Sequence, residues 1–518
     1  MRISVINKQI QALAADALIV NVFEGITALS GITGAVDSAL GATDGTPGDG
    51  AIGKLLALGD FRGQPNEVAV LYTNGLIPTP RVIVVGLGRR EELNTERVRQ
   101  ASGAAMRKAR DLGCKHVTSV IHGSGIGMLD VRVAAQATVE GALLGTYQFR
   151  DYKSHDSRQI DELTLVEFNP ARVAAVTTGA RDGETIAAGT NVARTLINRA
   201  PNDLAPTSLA QFCTDMAKQV GLSCMVLDEG DIADLHMGGI LAVTSGSAQP
   251  PRFVILEHVP TSAEPREPGP NAPPLVFIGK GVTFDTGGIS LKDPQSMLNM
   301  KGDMGGAAAV IGALRAIHEL NLPRRVIGLL PLVENMPGSR AFRPGDVITM
   351  MSGATVEITS TDAEGRLILA DALQYAKRYT PRGVVDLATL TGACVVALGE
   401  GIAAGLFSND DAWAERVLAA AGTSGEKLWQ LPLYAEYGNK IKSDIADMRN
   451  SPARNAGVGA SAYFLRRFVE NEQHAEVYPW VHIDMAPMMF SSDTRGYQPR
   501  GAIGYGVRTL VALARMLD

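Results

Sequence analysis

Cysteine and histidine are scarce in this chain. The 518 residues include four cysteines, Cys114, Cys213, Cys224 and Cys394, and none forms a CxxC pair. That argues against a thiolate zinc site and against a disulfide framework, and fits a reducing, cytoplasmic setting. The eight histidines are dispersed and form no HExxH. An excess of positive charge is missing too: 48 basic side chains face 54 acidic ones, a net charge of -6, so there is no global pull towards nucleic acid or anionic lipid. No uninterrupted apolar run reaches the ~18 residues of a membrane span. The opening Met1-Arg2-Ile3-Ser4-Val5-Ile6-Asn7 is followed by polar interruptions before a signal-peptide core can form.

What is present is a globular pattern. Apolar residues make up 46% and charged residues 20%, enough for one large core or for two or more domains. Short apolar runs alternate with helical stretches: Arg81-Val82-Ile83-Val84-Val85 precedes an amphipathic run over 95–112, and a strand-like run over 116–121 precedes a helix-like one over 131–144. The expectation is an α/β domain over 1–170, a linker with a helical run over 171–200, and a larger α/β domain over 201–518. The helical run, read over 183–199, stops at Ala200-Pro201-Asn202-Asp203. The proline-rich patch over 260–274 reads as a surface loop, and Leu275-Val276-Phe277-Ile278 beyond it as a short buried strand.

The unusual chemistry follows that strand. Asp362, Glu364 and Arg366 occupy alternate positions after the strand-like Thr355-Val356-Glu357-Ile358. In an extended chain such positions share a side, so the three charges are expected to converge on a metal or an anion. Gly279-Lys280-Gly281-Val282-Thr283-Phe284-Asp285-Thr286-Gly287-Gly288 adds Lys280 and Asp285 at a strand end; Gly281 after Gly-Lys excludes a P-loop. Lys292 follows, and Met300-Lys301-Gly302-Asp303-Met304-Gly305-Gly306 places Asp303 before a helix of small residues. Singly, Lys280 and Asp285 read as a solvated pair in a turn, Asp303 as a helix cap and Lys301 as a solvated lysine. Jointly, four carboxylates at glycine-rich element ends suit manganese, magnesium or a carboxylate-rich zinc site. Gly123-Ser124-Gly125-Ile126-Gly127 after a strand hints at a dinucleotide or ADP-ribose loop, but lacks the third glycine of the fingerprint. His318 reads as a packed or surface histidine and His482, near Asp484, as structural.

These segments, with Asn335-Met336-Pro337, Arg343-Pro344-Gly345-Asp346-Val347 and Asp386-Leu387-Ala388-Thr389-Leu390-Thr391-Gly392-Ala393, resemble the cytosol leucine aminopeptidase family of two-metal exopeptidases. The resemblance covers roughly the last three-fifths of the chain; the first third is similar only in its α/β rhythm. It implies a smaller N-terminal α/β, macro-like domain and a larger C-terminal catalytic α/β domain with a mixed central sheet flanked by helices. It also implies two divalent metal ions, manganese or zinc foremost, with magnesium and cobalt as alternatives. Asp285 and Glu364 would bridge them, Asp362 completing one site, Lys280 and Asp303 the other. Arg366 would hold a bicarbonate acting as general base, and Lys292 would stabilise the oxyanion. Met300, Thr389, Leu390 and Gly392 would line the substrate cleft.

The implied activity is removal of the N-terminal residue, leucine-like and apolar by preference, from peptides with a free amine, by a homohexamer with no membrane or nucleic-acid partner. A DNA-binding or regulatory hexameric scaffold is the alternative from another class, and a nucleotide-dependent enzyme using the N-terminal glycine loops a third. Two departures stand out. Ser360 replaces the family's usual Asn, and Pro487 its usual Gly; both are expected to act on loop and pocket shape, with every metal ligand retained.

Overall fold

The computed structural model describes all residues except 27, 42–47, 126–128, 155–157, 262–271, 453–454, 472–474 and 517–518. Most of the proline-rich patch, and Ile126 and Gly127 of the N-terminal glycine-rich turn, therefore lie outside the described residues. The chain divides into two compact units, Met1–Ala188 with Ser492–Arg500, and Gly189–Ser491 with Gly501–Asp518.

The first unit is built on six strands: β1 (Arg2–Ile6), β2 (Ala17–Val22), β3 (Val68–Tyr72), β4 (Arg81–Gly86), β5 (His116–Val120) and β6 (Glu162–Val166), in the order β1-β6-β5-β2-β4-β3. All neighbours are parallel except β3, which runs against β4 on the edge. β2 shows why both faces must be covered. Leu18, Val20 and Val22 join one apolar cluster with Val36 and Ile52, while Ala17 and Ile19 join another with Ala105 and Val139. A parallel strand that is apolar on both faces, as β2 is apart from Asn21, needs helices on both sides. They are supplied by α1 (Gly31–Ala39), α2 (Ala51–Leu58), α3 (Thr95–Asp111) and α4 (Val131–Gly145). Asn94 and Asp130 start the last two as caps, accepting from Arg97 N at 3.0 Å and Val133 N at 3.1 Å.

Helix α5 (Val173–Asn198) begins ten residues before the helical run read from the sequence. The division between the two units falls inside it, between Ala188 and Gly189. Its early residues Thr177 and Thr178 return their hydroxyls to the carbonyls of Val173 and Ala174, so their polarity is absorbed within the helix.

The second unit carries a mixed nine-stranded sheet. In chain order its early strands are β7 (Ser223–Leu227), β8 (Arg252–His258), β9 (Leu275–Gly279), β10 (Gly281–Asp285) and β11 (Val326–Asn335). A small three-stranded sheet of β12 (Val347–Thr349), β13 (Thr355–Glu357) and β17 (Met448–Arg449) stands apart. The large sheet resumes with β14 (Gly383–Ala388), β15 (Ala404–Ser408), β16 (Leu428–Gln430) and β18 (Trp480–Asp484). Its order is β16-β15-β18-β14-β9-β11-β8-β7, with β10 paired to β11. The central strands β11, β9, β14 and β18 are parallel, so their carboxyl ends share one edge. There a ligand site is expected in an open α/β sheet.

One close approach sets the geometry of that edge. The helix Gly305–Glu319 starts against the backbone, and a Cβ on Gly306 would lie 2.0 Å from Leu387 O. Only glycine allows this contact. It lets Ala307 N donate to Lys280 O at 2.9 Å while Lys280 N donates to Leu387 O at 3.0 Å, locking β9, β14 and the helix into register where the charged side chains emerge.

Candidate metal centre

Each charged residue leaves the end of a different element. Lys280 occupies the single position between β9 and β10, and Asp285 ends β10. Asp303 follows a short turn of 3-10 helix, Met300–Gly302. Glu364 stands at the N-terminus of the helix Gly365–Ala376. The alternation of Asp362, Glu364 and Arg366 is not an extended chain: Thr361-Asp362 form a turn and Arg366 lies in the first helical turn. Glycine-driven close packing replaces the expected strand, since a Cβ on Gly365 would meet Lys280 Nζ at 2.6 Å. The turn places Asp362 and Glu364 in the lining of one cleft, which does not include Arg366.

Four carboxylates surround two ammonium groups. Lys280 Nζ lies 2.8 Å from Asp303 and 2.8 Å from Glu364 Oε1; it also donates to Thr389 O at 3.2 Å. Lys292 Nζ lies 2.7 Å from Asp285 Oδ2 and also contacts Asp362 Oδ1. Lys280, Asp285, Asp303 and Glu364 are all buried. Lys280 and Asp285 are therefore not a solvated surface pair. Nor is Asp303 a cap: the helix begins from Met304 without a side-chain cap, and the Asp303 carboxylate accepts instead from Thr389 Oγ1 at 2.7 Å. Lys301 is not freely solvated either, donating to Asn198 O at 3.0 Å.

The electrostatics are those of acids crowded beyond what two ammonium groups neutralise. Burial, with the charge of Glu364 beside it, pushes Asp285 up to about 6 despite Lys292 and Lys280. Burial likewise pushes Asp303 up to about 8, against the pull of Lys280. Burial also raises Asp362, whereas in Glu364 the opposing burial is outweighed by Lys280 and Lys292, and its pKa falls. For Lys280, burial is outweighed by Asp303, Glu364 and Asp285; for Lys292, by Asp285, Glu364 and Asp362, and both lysines are raised.

A cation fits this donor set. Oxygens of Asp285, Asp303 and Glu364 lie within 4.8 Å of one another, and Glu364 Oε2 is buried without a hydrogen-bond partner among the described residues. A buried carboxylate oxygen without a donor is costly unless a cation meets it. Carboxylate oxygens with one amine suit manganese, magnesium or zinc.

Residues that bear no net charge hold the cluster. Asn335, at the end of β11, donates to Asp285 Oδ1 at 2.8 Å and to Thr361 O at 3.0 Å, tying two charged loops together. Asn450, just after β17, accepts from Thr359 N at 2.9 Å and donates to Ser360 O at 2.7 Å. Its carbonyl receives Arg366 Nη1 at 2.6 Å. Asn450 therefore supplies the amide contacts in the loop where Ser360 stands, while Ser360 Oγ accepts from Asp362 N at 3.3 Å. Burial lowers Arg366 to about 10 against the opposing pull of Glu364 and Asp484, and its Nε has no partner among the described residues. Asn335 lies in one of the segments quoted above; Asn450 carries no local signal, because only tertiary contact brings it to the loop.

The cluster opens into a cleft of about 430 Å³. Lys280, Asp285, Lys292, Asp303, Asp362 and Glu364 line it, together with Met300, Thr389, Leu390 and Gly392. Arg366 is not part of the wall. Val395, Ala486 and Met489 add apolar surface that sequence reasoning had not assigned. Pro487 is buried between the last two, in a turn of 3-10 helix. His482 is structural as read: it sits buried against Asp386 at 2.6 Å, beside Trp480 Nε1 at 2.7 Å from the same carboxylate. His318 is packed against His258.

Comparison with known proteins places this geometry among relatives. The model of the cytosol aminopeptidase family catalytic domain matches residues 191–511, and that of the family's N-terminal domain residues 33–156. The chain is 43% identical over 469 residues to a probable cytosol aminopeptidase of Roseiflexus castenholzii, covering 89% of this chain and 92% of the relative. It is 39% identical over 518 residues to one of Geobacter sp. (strain M21), covering 99% and 100%. Among solved structures it is similar to the bottromycin maturation enzyme BotP in complex with Mn, with TM-score 0.82, 34% identity and coverage of 97% and 99%. A mutant tomato leucine aminopeptidase superposes with TM-score 0.84 at 30% identity, covering 99% and 96%.

Proposed function

The chain belongs to the cytosol aminopeptidase family and is a metal-dependent aminopeptidase; we propose that it releases apolar, leucine-like residues from the N-termini of peptides with the buried cluster at the sheet edge. The observation that carries this reading is the meeting of Asp285, Asp303 and Glu364, with an unpartnered Glu364 oxygen, on the floor of a cleft walled by Met300, Leu390, Val395 and Met489.

Asp285 and Glu364 would bridge two divalent ions, manganese or zinc by preference, with Asp362 on one and Lys280 and Asp303 on the other. When bound, such a pair supplies Lewis acidity and a lowered pKa for water. The chain's own groups do the rest. Lys280, as a ligand, must give up its proton, so loading should release protons. Lys292, whose Nζ lies 2.7 Å from Asp285 Oδ2 at the cleft wall, would donate to the oxyanion of the tetrahedral intermediate. Once Asp285, Asp303, Asp362 and Glu364 serve as ligands, none of them is left as general base. Arg366 would hold a bicarbonate for that role, its planar cation suiting a small oxyanion. The apolar walls would take the first side chain and exclude water around it.

A homohexamer and a cytoplasmic location are carried over from the family; a monomeric sedimentation profile at micromolar concentration would contradict the former. No described helix is long and apolar enough to cross a membrane. The central test is metal analysis with hydrolysis of leucine amide, comparing wild type with Glu364→Ala and a free with an acetylated amine. Loss of metal together with loss of hydrolysis, and no cleavage of the blocked substrate, are expected; a Glu364→Ala protein that keeps both metal and activity would sink the assignment.

A further inference from the structure

The end of β18 stands behind the cleft wall. Asp484, its last residue, pairs with Ala388 of β14 and Gly405 of β15, and is fully buried without lining the cleft. Burying a carboxylate is costly unless donors surround it, and here they do. Oδ2 accepts from Thr391 Oγ1 at 2.6 Å, and Oδ1 from Leu390 N at 3.2 Å, Thr391 N at 3.4 Å and Ala486 N at 3.2 Å.

These donors belong to two of the segments that line the cleft. Thr391 caps the helix Gly392–Leu398, accepting from Cys394 N at 3.1 Å while giving its hydroxyl hydrogen to Asp484. That helix brings Gly392 and Val395 to the cleft. Ala486 opens the 3-10 turn Ala486–Met488 that leads to Met489, and Ala486 and Met489 line the cleft as well. A single carboxylate therefore fixes the turn at Leu390 and Thr391 and the turn at Ala486 to the same point. An Asn in its place would keep an acceptor for the N–H groups but present an NH2 to the Thr391 hydroxyl, and an Ala would hold neither segment.

We propose that Asp484 is a positioning residue for the substrate's first side chain: by tying these two segments together it sets the width of the apolar pocket, and hence the preference for a leucine-sized side chain over a small one. The inference rests on the peptidase reading of the cleft and deepens it with a residue outside the cleft lining. Width matters because a pocket closed on leucine gains from burying the extra carbons, about 10–200-fold in kcat/KM for each methylene, whereas a loosened one gains little over alanine.

The test is hydrolysis of leucine amide and alanine amide by the metal-loaded full-length protein, read as the ratio of their kcat/KM values, which does not depend on the fraction of protein that is folded. Asp484→Ala removes the tie, and Asp484→Asn keeps its Oδ1 half. Thr391→Val removes the hydroxyl donated to Asp484 and Thr391→Ser keeps it, so this pair reads the same contact if Asp484→Ala does not fold. The leucine-to-alanine ratio is expected to fall roughly tenfold or more in Asp484→Ala and in the same direction in Thr391→Val. It should be largely kept in Asp484→Asn and Thr391→Ser, with bound metal unchanged throughout and with KM for leucine amide rising more than kcat falls in the two disruptive variants. A wild-type ratio in either Asp484→Ala or Thr391→Val, or proportionate loss of both hydrolyses together with metal, would overturn the inference while leaving the peptidase reading in place. Wild-type protein that cleaves neither amide would overturn the peptidase reading itself, and the inference with it.

Discussion

At the scale of single residues, the charged cluster depends on neutral ones. Asn335 bridges Asp285 and Thr361, so Asn335→Ala should leave all the acids in place while loosening their geometry. Metal affinity is expected to fall about 10–100-fold, the usual effect of losing a partner that orients a ligand, with most of the hydrolysis recovered at saturating metal; a metal titration of activity separates this from a direct loss of kcat. Asn450 acts on the other side of the site. It holds the loop at Thr359 and Ser360 and receives Arg366. Asn450→Ala removes the side-chain contacts to Thr359 and Ser360, leaving buried groups unpaired at a cost of about 1–3 kcal/mol, but keeps the backbone carbonyl that receives Arg366; by loosening the loop that leads into Asp362 it should lower kcat more than it raises KM, because the apolar walls remain. Equal changes in both parameters would speak against this loop acting in the chemical step.

At the scale of elements, the cluster exists because helices begin where parallel strands end. Gly306 is the tightest of these junctions, with Leu387 O 2.0 Å from where its Cβ would stand. Gly306→Ala must push the helix Gly305–Glu319 off β14, moving Asp303 away from Lys280. Overpacking of this kind costs about 1–3 kcal/mol, and urea unfolding should show at least that loss, together with weaker metal binding. An Ala at an ordinary helical glycine would instead stabilise, by roughly 0.5–1 kcal/mol, so the sign of the change alone decides the matter. The same reasoning explains why Asp362, Glu364 and Arg366 separate. The helix from Gly365 takes Arg366 out of the cleft wall, where its Nη1 donates to Asn450 O, whereas a strand would have kept all three together.

At the scale of the molecule, two units with separate cores are expected to respond to different stimuli. Metal bound to the second unit stabilises it by mass action, so manganese should raise one calorimetric transition and leave another unmoved. Acid should act on the first unit through His122. Burial lowers its pKa to about 4, below the ordinary 6.5, so the unfolded chain binds the proton first as pH falls. The stability it contributes is therefore complete above about pH 6.5 and is lost as pH falls through about 4. His122→Leu should show a smaller difference in urea midpoint between pH 7 and pH 4.5 than the wild type; an equal difference would assign acid sensitivity to other groups.

Much of this protein was determined by its sequence alone. The apolar strands β4, β5, β6 and β9 and helices α3 and α4 were readable because periodicity and caps are local. The membership of Lys280, Asp285, Lys292, Asp303, Asp362 and Glu364 in one site was readable because acids and lysines at glycine-rich element ends are rare as a set, and all six line one cleft. The turn-to-helix conformation of 361–366 was not readable, since an alternating charge pattern fits a strand equally well until Gly365 packs on Lys280. Asn450, Met489 and the contacts of Asp484 with Leu390 and Thr391 were likewise decided only by tertiary structure. Their roles come from neighbours distant in the chain, which no local pattern of residues records.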